Sequence, residues 1–261
     1  MDAKTLSLQC GYRCETGAVR DRNEDSCLMI TSTFGGHFDL PTLGLYVVAD
    51  GMGGHTEGHV ASNTAARVFA EFVLSHLYFT LLRQRPLPKE ADILDTLERA
   101  VFAAHDAVYQ PEPERNGGTT LTAALVLGHR AYVAHVGDSR AYVQEGDQLR
   151  LLTEDHSLAR RLQDAGQLSP EDAETYPYRH VLLQALGQES ALTADTLALD
   201  LPDNCKLLLC SDGLYGSVSQ EQLAAALCGE GTLQDAADRL YEAAMAAGGP
   251  DNITAAVVGY A

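Results

Sequence analysis

The sequence predicts an α+β fold in which antiparallel β-strands and helices stack as the layers of a sandwich. Apolar residues recur at helical spacing over two long stretches, 56–82 and 90–109. Between residues 119 and 152 the pattern changes to short alternating segments separated by turns such as Gly128-His129, which is typical of hairpins. Consecutive strands interrupted by helix pairs favour antiparallel layers over a doubly wound parallel sheet.

Each of the two helical stretches has one apolar stripe. In the first, the stripe is formed by Val60, Ala61, Ala65, Val68, Phe69, Phe72, Val73 and Leu77. In the second, it is formed by Ile93, Leu94, Leu97, Val101, Ala104 and Val108. We expect the two helices to be long antiparallel neighbours.

Shorter patterns predict the remaining elements. Strands are expected at 119–127, 131–137, 140–144, 148–152, 194–201, 206–210 and 253–259. Further helices are expected at 155–165, at 170–174, from Ser219 onward and at 232–247. Ser169 is placed to cap the helix at 170–174, and Ser219 with Gln222 forms a candidate capping box.

The composition fits a globular protein and excludes several classes of partner. Of the 261 residues, 46% are hydrophobic, and 36 acidic against 18 basic residues give a formal charge of −18. This acidic excess argues against nucleic acid or an anionic membrane as a main partner. The first residues lack a secretory signal, and no apolar run approaches the roughly 20 residues of a membrane span. We therefore expect a cytoplasmic, monomeric protein.

Aspartates at strand ends are the strongest chemical signal in the sequence. An apolar strand closes on an aspartate that is followed at once by a small residue in three places. These places are Asp50-Gly51, Asp138-Ser139 and Asp212-Gly213. In addition, Asp25 comes just before an early strand and Asp251 just before the last one. If these strand ends converge, the five carboxylates crowd together.

Crowded carboxylates repel one another in a partly buried site unless they are protonated or neutralised by a cation. A set of four or five carboxylates suits a hard ion such as Mg²⁺ or Mn²⁺ better than zinc. Taken singly, each Asp-Gly pair is more simply a turn or a helix cap. Only the five aspartates together favour a metal site.

The cysteines carry no such signal. The chain has 6 of them, at positions 10, 14, 27, 205, 210 and 228, and no two form a C-x-x-C pair. A disulfide framework is an alternative for an even number of cysteines. Without a secretory signal, buried reduced thiols are favoured, and the spacing indicates neither a zinc site nor a redox role.

Six segments in order resemble one known family. They are residues 17–25, 47–55, 117–120, 136–140, 210–214 and 249–254. Together they resemble the PPM, or type 2C, metal-dependent protein Ser/Thr phosphatases, and the DGMGGH stretch at 50–55 is most similar to the compact bacterial branch. The resemblance implies one catalytic domain over residues 1–261, built as a four-layer α-β-β-α sandwich of two antiparallel sheets flanked by helix pairs.

The resemblance also implies a centre of two Mn²⁺ or Mg²⁺ ions at one end of the sandwich. Asp50 would bridge the ions, and the Gly51 carbonyl would bind one of them. Around the other ion the resemblance places Asp25, Asp212 and Asp251, with Glu24 and Asn252 in supporting positions. Asp138 matches a position associated with a more weakly held third ion.

The reaction implied is direct hydrolysis of phosphoserine and phosphothreonine in proteins. A hydroxide shared by the two ions would attack phosphorus in line, without a covalent phospho-enzyme. Arg20 matches the family's phosphate-binding arginine, and its guanidinium fork suits two phosphoryl oxygens. His55 is the candidate general acid for the leaving alkoxide, whereas His59, one turn later, would be a bystander. The expected partner is a bacterial Ser/Thr kinase or its substrates.

Residues 157–186 correspond to the family's flap subdomain, and here the sequence departs from the bacterial pattern. The run at 176–180 reads Tyr-Pro-Tyr-Arg-His where His-Pro-x-Arg-Asn is usual. His156, just before this segment, is expected to have a structural role. Because the flap is expected to meet the phosphoprotein, these changes affect substrate choice and leave the metal ligands intact.

Two other functions are compatible with parts of the sequence. A catalytically inactive scaffold of the same fold is one, but such proteins usually lose a metal ligand and all five aspartates are present here. A hydrolase of another phosphoester, such as a nucleotide, is the other. The acidic composition and the lack of a base-stacking signature make the nucleotide hydrolase less favoured.

Overall fold

Two five-stranded antiparallel sheets form the centre of the molecule. The structure, a computed structural model, describes residues 7–34, 40–53, 57–83, 87–109, 117–188 and 192–260. In spatial order the first sheet contains β1 (Leu8–Glu15), β12 (Ile253–Tyr260), β11 (Cys205–Cys210), β8 (Arg140–Glu145) and β9 (Gln148–Leu151). The second contains β10 (Asp195–Asp200), β7 (Arg130–Val136), β6 (Leu121–Leu127), β3 (Leu43–Ala49) and β2 (Ser26–Ser32). A short additional ladder pairs β4 (Gly51–Met52) with β5 (Gly118–Thr119).

Helices cover the outer face of each sheet. Against the second sheet lie α1 (Glu57–Val73), a π-helical turn (Leu74–Tyr78), α2 (Phe79–Arg83) and α3 (Glu90–Val108). Against the first sheet lie α7 (Gln220–Cys228) and α8 (Leu233–Ala246). Three shorter helices are α4 (Leu158–Asp164), α5 (Pro170–Thr175) and α6 (Asp212–Tyr215). The predicted four-layer α-β-β-α sandwich of two antiparallel sheets is therefore confirmed.

Alternate residues of strand β3 face two different apolar layers of the molecule. All of its residues are buried, because helices cover one face and the opposite sheet covers the other. Leu45 and Val47 belong to the apolar cluster that includes Phe69 of α1. Tyr46 and Val48, which point the other way, belong to the cluster between the sheets. The packed sheets therefore hold the side chains at the ends of their strands in fixed positions.

The helical unit Glu57–Arg83 differs from expectation in two respects. Its 27 residues are, by length and composition alone, long and apolar enough to cross a membrane, which the sequence analysis did not expect. This is weak evidence, since core helices pass the same test, and Ala65 and Phe69 are fully buried against the second sheet and α3. The predicted apolar stripe is wrong at Val60, which is 51% exposed.

Several predicted boundaries shift for local reasons. The strand predicted at 119–127 divides into β5 and β6, because Thr120 leaves the ladder and its hydroxyl bonds to Ser139 instead. The helix predicted at 155–165 begins only after Ser157, whose side chain accepts the Arg160 N–H as an N-cap. The capping box of Ser219 is confirmed. Strand β1 and helix α6 had no sequence signal.

Candidate metal centre

Strand pairing brings two of the five aspartates together in the second sheet. Asp25 comes directly before β2, and Asp50 comes directly after β3. These strands are antiparallel, and Ser26 pairs with Ala49 at the shared end. Both carboxylates therefore project from the same end of the sheet.

The other three aspartates reach this end from the first sheet and from the crossing between sheets. Asp212 follows β11 and Asp251 precedes β12, and these antiparallel strands pair at that end through Cys210 and Ala255. Asp138 lies in the connection from β7 to β8. The five predicted ligands thus meet at one end of the sandwich, which we call the acidic rim and define by Asp25, Asp50, Asp138, Asp212 and Asp251.

The Asp50 carboxyl group interacts with all the other members of the acidic rim. Its pKa is raised well above the ordinary value, first by burial and then by charge repulsion from Asp25, Asp212, Asp138 and Asp251. Its main chain is held on both sides. The Asp50 N–H donates to Thr120 Oγ1 at 2.9 Å, and Thr119 Oγ1 donates to the Asp50 carbonyl at 2.9 Å. Fixed carboxylates that repel one another favour a bound cation.

Asp25 is the most enclosed carboxylate of the rim, with 6% exposure. Its Oδ2 atom accepts hydrogen bonds from Ser211 Oγ and Thr254 Oγ1, both at 2.7 Å. Burial nevertheless raises its pKa to about 7, against the effect of these two donors. Its Oδ1 atom is buried without any hydrogen-bond partner among the described atoms. An unpaired buried acceptor is costly, and a divalent cation would satisfy it.

The glycines that follow Asp50 and Asp212 have a steric cause. At Gly51, a Cβ atom would come within 2.2 Å of the Gly58 carbonyl oxygen at the start of α1 and within 2.5 Å of the Glu24 carbonyl oxygen. At Gly213, it would come within 2.0 Å of the Asn252 carbonyl oxygen. Backbones therefore approach at distances that only glycine permits, which lets strand ends crowd together.

Asp138 is 7% exposed, and the residues around it hold its loop in place. Burial raises its pKa well above the ordinary value, with further repulsion from Asp212 and Asp155. Tyr215 donates from its hydroxyl to the Asp138 carbonyl at 2.9 Å. Arg140 makes two hydrogen bonds to Asp155, at 2.9 and 2.7 Å, and lies 3.8 Å from the Tyr215 ring centroid. The nearby guanidinium is thus paired with Asp155 and leaves the Asp138 carboxylate for another cation.

Arg20, the predicted phosphate-binding residue, lies on the acidic rim. Its Nη2 atom donates to Asp251 Oδ2 at 2.7 Å, and its side chain is 55% exposed. The same carboxylate accepts the Asn252 N–H through Oδ1 at 2.8 Å. The guanidinium is therefore oriented by a rim aspartate while much of it faces solvent, where an anion could bind.

Asn252 ties the loop before Asp25 to the start of β12. Its Oδ1 atom accepts the Glu24 N–H at 2.8 Å. Its Nδ2 atom donates to the carbonyls of Thr16 at 3.0 Å and Arg22 at 2.9 Å. The observed contacts of Asn252 are thus with main-chain atoms, and they position the loop.

The structure describes two of the three histidines discussed above, His59 and His156, and not His55. His55, the candidate general acid, lies outside the described residues. His59 has its Nδ1 atom 3.4 Å from Arg22 Nη1. His156 accepts the Gly137 N–H through Nδ1 at 3.2 Å and places Nε2 3.2 Å from Asp195 Oδ2. These contacts fit the structural role expected for His156.

The residues of the acidic rim fit a water-rich site for a hard cation. Within the part of the chain that the structure describes, no group of three or more His, Cys, Asp or Glu side chains is close enough together to hold a metal ion by itself. Mg²⁺ does not need such a cage, because it usually keeps several waters and binds one or two carboxylates. All the candidate side-chain donors here are oxygens, and the unpaired Oδ1 of Asp25 is one of them.

Three hydroxyl residues of the site were not predicted. Ser211 and Thr254 donate to Asp25, and Thr120 accepts the Asp50 N–H. Each lies inside one of the six segments, but a lone hydroxyl residue indicates no particular partner. Their position beside aspartates in those segments was the one available signal.

The segment 157–186 begins and ends on the body of the protein. Directly before its start, His156 donates its N–H to the Gly137 carbonyl at 2.7 Å. At its end, Leu186 and Thr119 exchange hydrogen bonds at 2.9 and 3.1 Å. The unusual run at 176–180 reaches the rim, since His180 Nδ1 lies 3.6 Å from Asp212 Oδ2.

Sequence comparisons identify relatives along nearly the whole chain. A family model described as Protein phosphatase 2C matches residues 21–247. The chain is 35% identical over 253 residues to the serine/threonine phosphatase stp of Listeria innocua, covering 96% of this chain and 95% of that protein. It is 36% identical over 258 residues to the serine/threonine protein phosphatase PstP of Mycobacterium tuberculosis, covering 97% of this chain and 45% of that longer protein.

Solved structures similar to this chain are also of serine/threonine phosphatases. The Mycobacterium tuberculosis phosphatase PstP/Ppp superposes with a TM-score of 0.79 at 33% identity, covering 97% of this chain and 98% of that one. The catalytic domain of PstP in complex with two manganese ions superposes with a TM-score of 0.78 at 32% identity, covering 98% and 99%. The chain therefore belongs to the PPM, or type 2C, family of protein serine/threonine phosphatases.

Proposed function

We propose that this phosphatase hydrolyses phosphoserine and phosphothreonine directly, with Mn²⁺ or Mg²⁺ held at the acidic rim and no covalent phospho-enzyme. The observation that carries the proposal is the convergence of five aspartates from distant segments, one of which, Asp25, has an unpaired buried oxygen. The two manganese ions in a related structure support it.

The proposed ligands are those at the strand ends. Asp50 and the Gly51 carbonyl would hold the ions, with Asp50 in the bridging role. The remaining ligands are Asp25, Asp212 and Asp251, with Asp138 for a weaker third ion. When bound, the ions supply Lewis acidity and lower the pKa of water enough for attack on phosphorus near neutral pH. The hydrogen bonds from Ser211 and Thr254 keep the Asp25 carboxylate in one orientation.

Arg20 binds the phosphoryl group in this proposal. Asp251 holds one end of the guanidinium, and the exposed N–H groups remain to donate to two phosphoryl oxygens. A guanidinium keeps its charge at any pH at which the enzyme works. Arg20 thus positions the phosphorus atom beside the ions and offsets the charge of the anionic substrate.

His55 is the proposed proton donor to the leaving alkoxide. It lies two residues before the start of α1, in the segment that also contains Asp50 and Gly51. The ordinary pKa of histidine suits proton donation near neutral pH. Replacement of His55 should slow phosphopeptides more than aryl phosphates, whose leaving groups need less protonation.

The proposed substrates are phosphoproteins of a bacterial signalling pathway, namely a Ser/Thr kinase or its targets. We propose that the protein acts in the cytoplasm as a monomer, and its six free cysteines suit a reducing compartment. With a net charge of −18, the surface should favour phosphosites with basic flanks. Better turnover of acidic-flanked peptides at low salt would contradict this preference.

Metal dependence tests the reaction. Activity on a phosphothreonine peptide should disappear with chelator and return with added Mn²⁺. Adenosine triphosphate should be hydrolysed far more slowly than the peptide under the same conditions. A faster rate on nucleotide would favour the alternative phosphoesterase, and no metal-dependent rate on any substrate would favour an inactive scaffold.

Replacement of the bridging carboxylate tests the assignment of residues. Asp50→Asn should lower kcat by roughly a hundredfold to a thousandfold, the range for loss of a principal electrostatic group. The control is Asp203→Asn, which removes an exposed carboxylate from a surface turn and should leave kcat unchanged. Circular dichroism should show both variants folded. Normal turnover by folded Asp50→Asn would refute the bridging role.

A further inference from the structure

Two cysteines from different sheets meet at one edge of the sandwich. Cys14 lies in β1, the edge strand of the first sheet, and Cys27 lies in β2, the edge strand of the second. Their side chains are hydrogen-bonded to each other, and both residues are partly exposed to solvent. They are thirteen positions apart in the sequence, so their spacing gave no sign of this contact.

Hydrogen bonds hold the Cys14 sulfur in place beside Cys27. Thr254 Oγ1 donates to Cys14 Sγ at 3.3 Å, and Asn23 Nδ2 donates to it at 3.4 Å. These two hydrogen bonds fix the position of the Cys14 sulfur. Cys10, on the same face of β1, has its side chain hydrogen-bonded to Thr31 instead. Cys14 is therefore the thiol placed to react with Cys27.

The same contacts connect this thiol pair to the acidic rim. Thr254 Oγ1 lies 3.3 Å from Cys14 Sγ and 2.7 Å from Asp25 Oδ2, so one hydroxyl proton serves both acceptors. The Cys14 sulfur also lies 3.9 Å from the Asp25 carbonyl oxygen. Cys27 follows Asp25 by two residues on the chain. Any covalent change at the pair therefore alters the position or the hydrogen bonding of Asp25.

We propose that Cys14 and Cys27 form a reversible disulfide with a hydroperoxide as the oxidant, and that this disulfide weakens divalent-cation binding at Asp25. The second half rests on the proposed metal site. Hydrogen peroxide first transfers an oxygen to Cys14, so that its O–O bond breaks, a sulfenic acid forms and one water leaves. The Cys27 sulfur then attacks the Cys14 sulfur. The S–O bond breaks, the hydroxyl leaves with the Cys27 proton as a second water, and the S–S bond forms.

Peptide mapping of the oxidised full-length chain tests the disulfide. After mild treatment with hydrogen peroxide and blocking of free thiols, mass spectrometry should find a Cys14–Cys27 linkage that dithiothreitol removes. Cys27→Ala should abolish the linked peptide. Cys10→Ser and Cys228→Ser, which remove a neighbouring and an exposed thiol, should leave it intact. Absence of the linkage in the unmodified chain, or its persistence in Cys27→Ala, would overturn the proposal.

Titration with Mn²⁺ alone tests the coupling to the rim. Calorimetry should show a Kd that rises roughly tenfold on oxidation, the effect expected for disturbing a residue that supports a ligand, and recovers with dithiothreitol. Peroxide should not change the Kd of Cys27→Ala. An equal Kd in both redox states would refute the coupling. Failure of the reduced protein to bind Mn²⁺ at all would instead refute the proposed metal site, because the mapping result does not depend on metal.

Discussion

The acidic rim and the neighbouring segment 157–186 are built in opposite ways. Asp25 and Asp138 are 6% and 7% exposed, and hydrogen bonds from distant parts of the chain hold the Asp25 side chain and the Asp138 main chain. In the segment, Tyr178, Val181 and Leu183 are 60%, 43% and 41% exposed. The comparison shows carboxylates fixed at packed strand ends beside a segment that exposes large apolar side chains, and the proposed function assigns the chemistry to the first and substrate recognition to the second.

The largest expected effect on stability concerns His135, a buried residue of β7 whose ring lies 5.0 Å from that of His156, directly before the segment. Its Nδ1 atom lies 2.9 Å from Thr122 Oγ1 and its Nε2 atom 3.0 Å from the Glu154 carbonyl. Burial lowers its pKa to about 4 from an ordinary 6.5, with a further contribution from His156. Between these pH values the unfolded chain binds more protons than the folded one. The folded state should thus lose up to about 3 kcal/mol as pH falls from about 6.5 to about 4.

Urea unfolding at several pH values measures this loss. His135→Gln, whatever its stability at neutral pH, should show a flatter dependence of unfolding free energy on pH over that range. His129→Gln, which alters an exposed histidine, should keep the steep dependence. If all three proteins show the same slope, His135 is not the group that titrates.

The next largest effect is expected on Mn²⁺ binding, and it tests the role of the residues that orient Asp25. The double variant Ser211→Ala with Thr254→Val removes both donors to Asp25 Oδ2 while keeping side-chain volume nearly constant. Loss of residues that orient a metal ligand should weaken Mn²⁺ binding roughly ten- to a hundredfold. Calorimetric titration measures the Kd. The control Ser32→Ala, whose hydroxyl contacts Tyr78 instead, should bind Mn²⁺ normally. Unchanged affinity in the double variant would contradict the role of these two hydroxyls in orienting Asp25 for the metal.

Arg20→Met tests whether the rim also binds phosphate. Loss of a charge-assisted hydrogen bond of about 1.5 kcal/mol should lower kcat/KM for a phosphothreonine peptide roughly tenfold. Inhibition by inorganic phosphate should weaken in parallel. Arg13→Met, which removes a guanidinium paired with Asp238 on α8, provides the matched control. Equal phosphate inhibition in both variants would contradict the role of Arg20.

The smallest expected effect distinguishes the segment from the rim. Tyr178 is 60% exposed, and its ring contacts that of Tyr176 at a centroid distance of 5.8 Å. Tyr178→Ala should raise KM a few-fold for a phosphopeptide and leave turnover of an aryl phosphate unchanged. A parallel loss on both substrates would place Tyr178 with the rim chemistry, and the contrast between the regions would fail.

Elements with strong local patterns were predictable, and elements defined by distant partners were not. The helical unit Glu57–Arg83 and helix α3 follow from apolar spacing, and both begin and end within a residue or two of prediction, although a π-helical turn divides the first into α1 and α2. Strand β1 was missed because its burial alternates irregularly and its partner, β12, is at the other end of the chain. The break at Thr120 was also missed, because its cause is a hydrogen bond to Ser139.

The sequence by itself determined which side chains could supply the chemistry, namely five aspartates at strand ends and the small residues that follow three of them. Only the tertiary structure decided that these ends converge, that Thr254 donates to Asp25 across 229 positions, and that Cys14 meets Cys27. The physical reason is that periodicity and turn residues act over a few positions. Contacts between distant segments depend instead on strand register and on the packing of one sheet against the other.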